Sequence, residues 1–178
     1  IPSLLALSGL IAWPIERFIF YLYFNDAKKR LLANDRLIRI GITGSYGKTS
    51  VKFILNTILS QKYNVLCTPS SFNTPMGVVR TVREHFRPET EVFICEMGAK
   101  KKDDIKELCE LVGKVDCGII TSVGPQHLDT FGDITTVTST KFELYESVKK
   151  NGGLTLVNFD NDIIKNKYRS DLGITYDA

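Results

Sequence analysis

The segment Thr43-Gly44-Ser45-Tyr46-Gly47-Lys48-Thr49-Ser50 follows the apolar run Leu37–Ile42 and precedes Val51, Ile54, Leu55 and Ile58, which recur at helical spacing. A strand, a glycine turn and a helix in that order constrain this chain more than any other feature. The glycines let backbone N–H groups turn inward on one concavity, and the helix N-terminus adds partial positive charge. Such a cradle suits phosphate oxygens, with Lys48 placed to neutralise terminal phosphates and the Thr49 hydroxyl to reach Mg²⁺. The common spacing G-x-x-x-x-G-K-[ST] needs glycine at position 42, where Ile42 stands, so the loop is a variant, T-G-x-x-G-K-T. The flanking strand and helix weigh against an accidental Gly/Lys turn.

The alternation continues. Asn64–Cys67, Glu91–Cys95, Asp116–Val123, Leu154–Asn158 and Ile174–Tyr176 read as further strands. Val78–Phe86, a segment opening near Asp103 and Asp133–Lys150 read as helices, and Gly152-Gly153 ends the last of these. This pattern predicts an α/β fold, a mostly parallel sheet flanked by helices on both faces. Ligands of such sheets bind beyond the C-terminal strand ends. The first strand brings the glycine loop to that edge, the third brings Glu96 and the fourth leads to His127.

A chain of 178 residues has room for one such domain with some extra, and a net charge of +3 suits phosphate handling without requiring nucleic acid. The domain is expected over 36–178, behind an apolar helical segment at 1–35. The four cysteines show no Cys-x-x-Cys pairing, which favours buried reduced thiols and a cytoplasmic setting. The first residue is not methionine and the last lie just past a strand, so the chain reads as a fragment of something longer.

From Leu4 to Phe24 the chain is largely apolar, and a helix of that length would be ~30 Å long, enough to span a bilayer. Pro14, Glu16 and Arg17 interrupt it, and each charge would cost about 2.5–3.5 kcal/mol at a bilayer centre. Lys28, Lys29, Arg30, Arg36 and Arg39 follow and would mark that side as cytoplasmic. Membrane contact and a helix packed on the domain or on another subunit both remain open.

Other single residues also carry two readings. Glu96 ends an apolar strand, either as a solvated edge carboxylate or, beside the phosphate loop, as a ligand for Mg²⁺. Lys141 lies in the middle of the apolar stripe Ile134, Val137, Leu144, Tyr145 and Val148. It either snorkels to water or is a buried amine of depressed pKa. His127 is a loop histidine, and Ser70–Gly77, Asn158 and Asp160 have ordinary turn chemistry.

The loop T-G-S-Y-G-K-T-S resembles that of the Mur ligase superfamily, which includes peptidoglycan stem-peptide ligases and folylpolyglutamate synthases. Further matches follow in the family's order: Ser71-Phe72-Asn73-Thr74-Pro75-Met76-Gly77, Glu96-Met97-Gly98, His127-Leu128-Asp129, Thr140-Lys141-Phe142-Glu143 and Asn158-Phe159-Asp160. The resemblance runs from about Ile38 to Asp162. It implies the family's central ATP-binding domain, with ATP and Mg²⁺ as cofactors and an amide made through an acyl phosphate. Thr43 to Ser50 and Asn158 would contact nucleotide, and Thr49, Glu96, His127 and Lys141 would serve the metal. Lys48, His127 and Lys141 would be catalytic, with Lys141 carbamylated to act as an improvised carboxylate. Ser71–Gly77 would lie near the acceptor. A UDP-muramoyl peptide and an amino acid or dipeptide would be the substrates.

The family's N-terminal UDP-binding domain and C-terminal domain have no counterpart in these residues, so the fragment alone is expected to be inactive as a ligase. Alternatives are a folylpolyglutamate- or cyanophycin-type ligase, a P-loop switch or transport ATPase, and a non-catalytic nucleotide-binding subunit tethered to membrane. A switch ATPase would favour an apolar strand ending in Asp, whereas this one ends in Cys95-Glu96.

Overall fold

Strand β1 (Ile38–Thr43) is buried from Arg39 onward and pairs in parallel with β3 (Val92–Glu96) on one side and β4 (Cys117–Ile120) on the other. The computed structural model describes residues 2–125, 128–167 and 174–176. β2 (Val65–Cys67) lies outside β3, while β5 (Leu154–Asn158) and β6 (Ile174–Tyr176) lie outside β4. The order is β2-β3-β1-β4-β5-β6, and every pairing is parallel. The chain first goes to the sheet edge at β2 and returns at β3 to the place beside β1, then crosses to the other side of β1 at β4. That reversal opens a crevice at the C-terminal end of β1.

Side chains alternate across the strands and divide the core between two faces. Ile40, Ile42, Val92, Ile94 and Ile119 pack under α2 (Lys48–Leu59) through Val51, Leu55 and Leu59. Phe93, Cys95 and Ile120 belong to the opposite layer, built from α1 (Pro2–Leu32), α3 (Pro75–His85), α4 (Asp104–Val112) and α6 (Ile134–Lys150). The short helices α5 (Leu128–Phe131) and α7 (Asp162–Lys167) complete this layer with Phe131 and Ile164. The α/β expectation holds, with helices on both faces. The cysteines are free thiols, and Cys95 and Cys109 are buried.

Two boundaries and one helix face differ from the sequence reading, each for a local reason. α3 begins at Pro75 rather than Val78, because Thr74 caps it by accepting from the Gly77 N–H at 3.3 Å and Pro75 supplies a preset first turn. β4 stops at Ile120: the Thr121 N–H still pairs with the Thr43 carbonyl at 3.0 Å, but the Thr121 and Ser122 hydroxyls turn to the loop after β1. α2 leaves Ile54 and Ile58 58% and 60% exposed and buries Lys52 instead.

The end of α1 is part of the domain. Ala27 and Leu31 lie in the main core, and the Arg39 guanidinium donates to the carbonyls of Leu31 (2.6 Å), Asn34 (3.2 Å) and Leu37 (3.0 Å). Arg39 is therefore a buried clamp on the helix C-terminus, not one of the basic residues available to a membrane surface. Earlier in α1, residues 12–19 are exposed, Trp13 by 64%. No helix among the described residues is long and apolar enough to cross a membrane.

α4 is capped from outside its own sequence. Asp103 has a left-handed backbone (φ 68°) and makes no side-chain cap. Glu143 of α6 accepts from the N–H groups of Asp103 and Lys106, both at 2.9 Å. Glu143→Ala is expected to lower unfolding free energy by about 1–2 kcal/mol, the usual worth of a helix cap, and Glu143→Gln by less. Urea unfolding curves of the two variants check this.

Candidate active site

The loop from Gly44 to Gly47 is held in shape by the strand beside it. A Cβ on Gly44 would fall 2.0 Å from Thr121 Oγ1, so only glycine fits there. Thr121 Oγ1 and Ser122 Oγ donate to the Tyr46 carbonyl at 2.6 and 3.1 Å, and the Tyr46 N–H donates to Ser122 Oγ at 2.9 Å. The buried Ser45 hydroxyl donates to the Gly124 carbonyl (3.1 Å) and accepts from its N–H (3.0 Å). Thr43 Oγ1 donates to the Met97 carbonyl at 3.0 Å, joining the loop's entry to the end of β3. Gly47, left-handed at φ 81°, opens α2 without a side-chain cap, so its first N–H groups are left for a ligand. Tyr46 and Ser50 are exposed, at the loop's tip and on the first turn of the helix.

Lys48 folds back over this loop, its Nζ donating to the Gly44 carbonyl at 2.7 Å and reaching the Ser45 carbonyl at 3.4 Å. Burial pulls its pKa below the usual lysine range, and the Glu96 carboxylate partly offsets that. Carbonyl oxygens are stand-ins that an anionic phosphate can replace as acceptors for the ammonium.

Glu96 is buried at the end of β3, not solvated. Its Oε2 accepts from Thr49 Oγ1 at 3.0 Å and from Lys52 Nζ at 2.9 Å, and its Oε1 accepts from Asn73 Nδ2 at 3.2 Å. The Thr49 hydroxyl and a carboxylate oxygen thus stand side by side beside the phosphate loop. These are hard oxygen donors of the kind Mg²⁺ takes, one or two protein groups with water and phosphate completing the shell. The donor chemistry fits the ion. Among the described residues no cluster of three or more His, Cys, Asp or Glu side chains forms a metal cage. Gly98, two residues on, lies against Asn73, and a Cβ there would meet that side chain at 2.7 Å.

Lys141 is 3% exposed, so it does not snorkel. Burial is the main cause, and repulsion from Lys48 the second, that lower its pKa to about 8, while Asp104 and Glu143 act the other way. Lys48, Lys141, Asn73, Thr74 and Asp104 line one cavity of about 330 Å³. The fold therefore gathers residues separated by nearly a hundred positions: the loop lysine, the α6 lysine and the start of α3.

Some expected residues stand apart or beyond view. His127 lies outside the described residues. Asn158 ends β5 and makes an Asx turn, its Oδ1 accepting from the Asp160 N–H at 3.0 Å. Lys52 was missed by sequence reasoning, since a lysine on a helix normally points to water. Its signal was position: it lies between Val51 and Leu55, on the same face of α2 as the residues that pack on the sheet.

A model of the Mur ligase middle domain matches residues 42–175. The chain is 33% identical over 130 residues to the UDP-N-acetylmuramoyl-tripeptide--D-alanyl-D-alanine ligase of Bacillus subtilis, a match covering 72% of this chain and 28% of that protein. It is 37% identical over 117 residues to the enzyme of the same name from Mycobacterium tuberculosis, covering 66% of this chain and 22% of that one. Among solved structures, the MurF ligase of Thermotoga maritima in complex with ADP superposes with a TM-score of 0.77 at 29% identity, over 88% of this chain and 35% of that one. The chain thus spans between about a fifth and about a third of the lengths of these relatives. With the match extending over most of its length, the chain belongs to the Mur ligase family and carries that family's middle domain.

Proposed function

We propose that this chain is the ATP-binding core of an ATP-dependent carboxylate–amine ligase that adds an amino acid or dipeptide to a UDP-muramoyl peptide in peptidoglycan precursor synthesis. The observation that carries the reading is one cavity lined by Lys48 and the buried Lys141, whose wall residue Asn73 donates to Glu96 of the Thr49–Glu96 oxygen pair. The names of the relatives support a muramoyl substrate over a folyl or cyanophycin one. A buried reactive amine beside the phosphate loop has no part in a switch or transport ATPase.

In the reaction, a substrate carboxylate oxygen attacks the γ-phosphorus of ATP, releasing ADP and leaving an acyl phosphate. The amine nitrogen then attacks the acyl carbon, expels phosphate and loses a proton. The chain's share is positioning and charge neutralisation in a water-poor crevice. The loop from Thr43 to Ser50 cradles the phosphates and Lys48 exchanges the Gly44 carbonyl for a phosphate oxygen. Thr49, Glu96, His127 and a carbamylated Lys141 would hold Mg²⁺, which supplies further neutralisation of phosphate charge. Asn158, at the same sheet edge, contacts the nucleotide, and Ser71–Gly77 faces the acceptor.

The exposed part of α1 is assigned to the cytoplasmic face of a membrane. Trp13, Phe18 and Tyr21 are each more than 60% exposed, and Lys28, Lys29 and Arg30 follow. Aromatic residues with adjoining basic ones suit the lipid interface. Full-length protein is expected to float with vesicles containing anionic lipid, and Trp13→Glu with Phe18→Glu and Tyr21→Glu to abolish flotation.

Lys48→Ala should weaken ADP binding by about 10- to 100-fold, the worth of a charge-assisted phosphate contact, as read by calorimetry. Phosphate release by the full-length protein should depend on an amine and on a UDP-muramoyl peptide, not on glutamates or folates. ATP hydrolysis indifferent to every acceptor would overturn the ligase reading.

Carbamate forms from the neutral amine. At pH 7.5 a pKa of about 8 leaves roughly a quarter of Lys141 neutral, against roughly one part in a thousand for an ordinary lysine. Labelling with ¹³C-bicarbonate should therefore give a carbamate ¹³C resonance that forms faster as pH rises through about 8 and is missing in Lys141→Ala. Short carboxylic acids should restore activity to that variant, and failure of both results would remove Lys141 from the proposed site.

A further inference from the structure

Lys52 stands one helical turn beyond Lys48 on α2 and has 0% of its surface exposed. An ammonium out of water requires fixed partners. Its Nζ donates to Glu96 Oε2 at 2.9 Å and to the Ser70 carbonyl, and lies 4.7 Å from the centroid of the Phe53 ring. Ser70 offers that carbonyl from a left-handed backbone, φ 41°, a conformation that a residue with a Cβ adopts at a cost. Three residues later Asn73 donates to the other oxygen of Glu96 at 3.2 Å. Both oxygens of the carboxylate are thus tied to the segment 70–73 that leads into α3.

We infer that Lys52 is a positioning residue that neutralises Glu96 before nucleotide arrives, so that a divalent cation enters only together with nucleotide phosphates. The same ammonium couples that event to the segment Ser70–Gly77. This inference rests on the reading of Glu96 as a metal-facing carboxylate. A lone buried carboxylate beside the Thr49 hydroxyl would attract a divalent cation by itself. With Lys52 against it the pair is neutral, and the ammonium repels a second cation. At an effective dielectric of about 20, a unit charge some 4 Å away still outweighs thermal energy several-fold. The phosphates of a bound nucleotide bring the negative charge that the Lys52–Glu96 pair lacks. Lys48 does not serve this purpose, because its ammonium sits on the Gly44 and Ser45 carbonyls where phosphate is expected.

The test is Mn²⁺ binding to the full-length protein without nucleotide, read by the electron paramagnetic resonance of free Mn²⁺. Lys52→Met and Lys52→Gln should each bind at least about tenfold more tightly than the parent, and Lys52→Arg, which keeps the charge, should stay at the parent's level. The gain should vanish when Glu96→Gln is added to either neutral variant, which separates this site from surface carboxylates. Hydrogen exchange at residues 70–74 should quicken in the neutral variants. A purely structural lysine would lower stability without raising metal affinity, so equal Mn²⁺ affinity in a folded Lys52→Met or Lys52→Gln protein overturns the inference. Glu96→Gln alone, compared with the parent for ADP affinity with and without Mg²⁺, tests the underlying site. If it leaves the Mg²⁺ dependence unchanged, the metal reading of Glu96 fails, independently of the Lys52 result.

Discussion

Gly44 lies where β1 turns into the phosphate loop, with its Cα so close to Thr121 that no side chain could be added. That approach sets the spacing between β1 and the segment after β4, and three hydrogen bonds to Tyr46 depend on it. Because β4 lies across the reversal in strand order, the loop is braced from the side of the sheet that the chain builds last. α2 then starts in the only direction left to it, and with it come Lys48, Thr49 and Lys52. The close approach of Gly44 to the Thr121 hydroxyl thus joins segments far apart in sequence.

The three lysines of this region meet different partners. Lys52 meets Glu96, and Lys48 rests on carbonyls while it waits for an anion. Lys141 has no ammonium-stabilising partner strong enough to offset its burial, and its pKa falls to about 8. The difference between the three lysines is environmental. One is matched by a buried carboxylate, one is held by neutral oxygens, and one is left near the threshold of losing its proton.

The last turns of helix α1 are built into the domain. Ala27, Leu31 and the Arg39 clamp anchor its last turns, while its aromatic residues further back meet solvent. Over residues 12–19 the helix is exposed, and the domain leaves Trp13 and Phe18 uncovered.

Much of this was legible from the residues alone. Strand and helix alternation follow from apolar periodicity, which local chemistry dictates, and T-G-x-x-G-K-T declares its own turn because glycine is required wherever backbone must face a ligand. Lys141 is visible as a break in an otherwise apolar stripe, but only the fold decides that it is buried and does not snorkel. Partnership across the fold was not legible. The place of Lys52 on the inner face of α2 hints at burial, but nothing near it in sequence names its partner, since its carboxylate is 44 residues away. Arg39 read as a surface charge until the carbonyls of α1 were placed around it, and Glu143 caps a helix that begins 39 residues before it. The sequence by itself determined the order of elements and the phosphate cradle, because these depend on neighbours along the chain. Only the tertiary structure decided which charge neutralises which, because burial and Coulomb energy depend on distance in space.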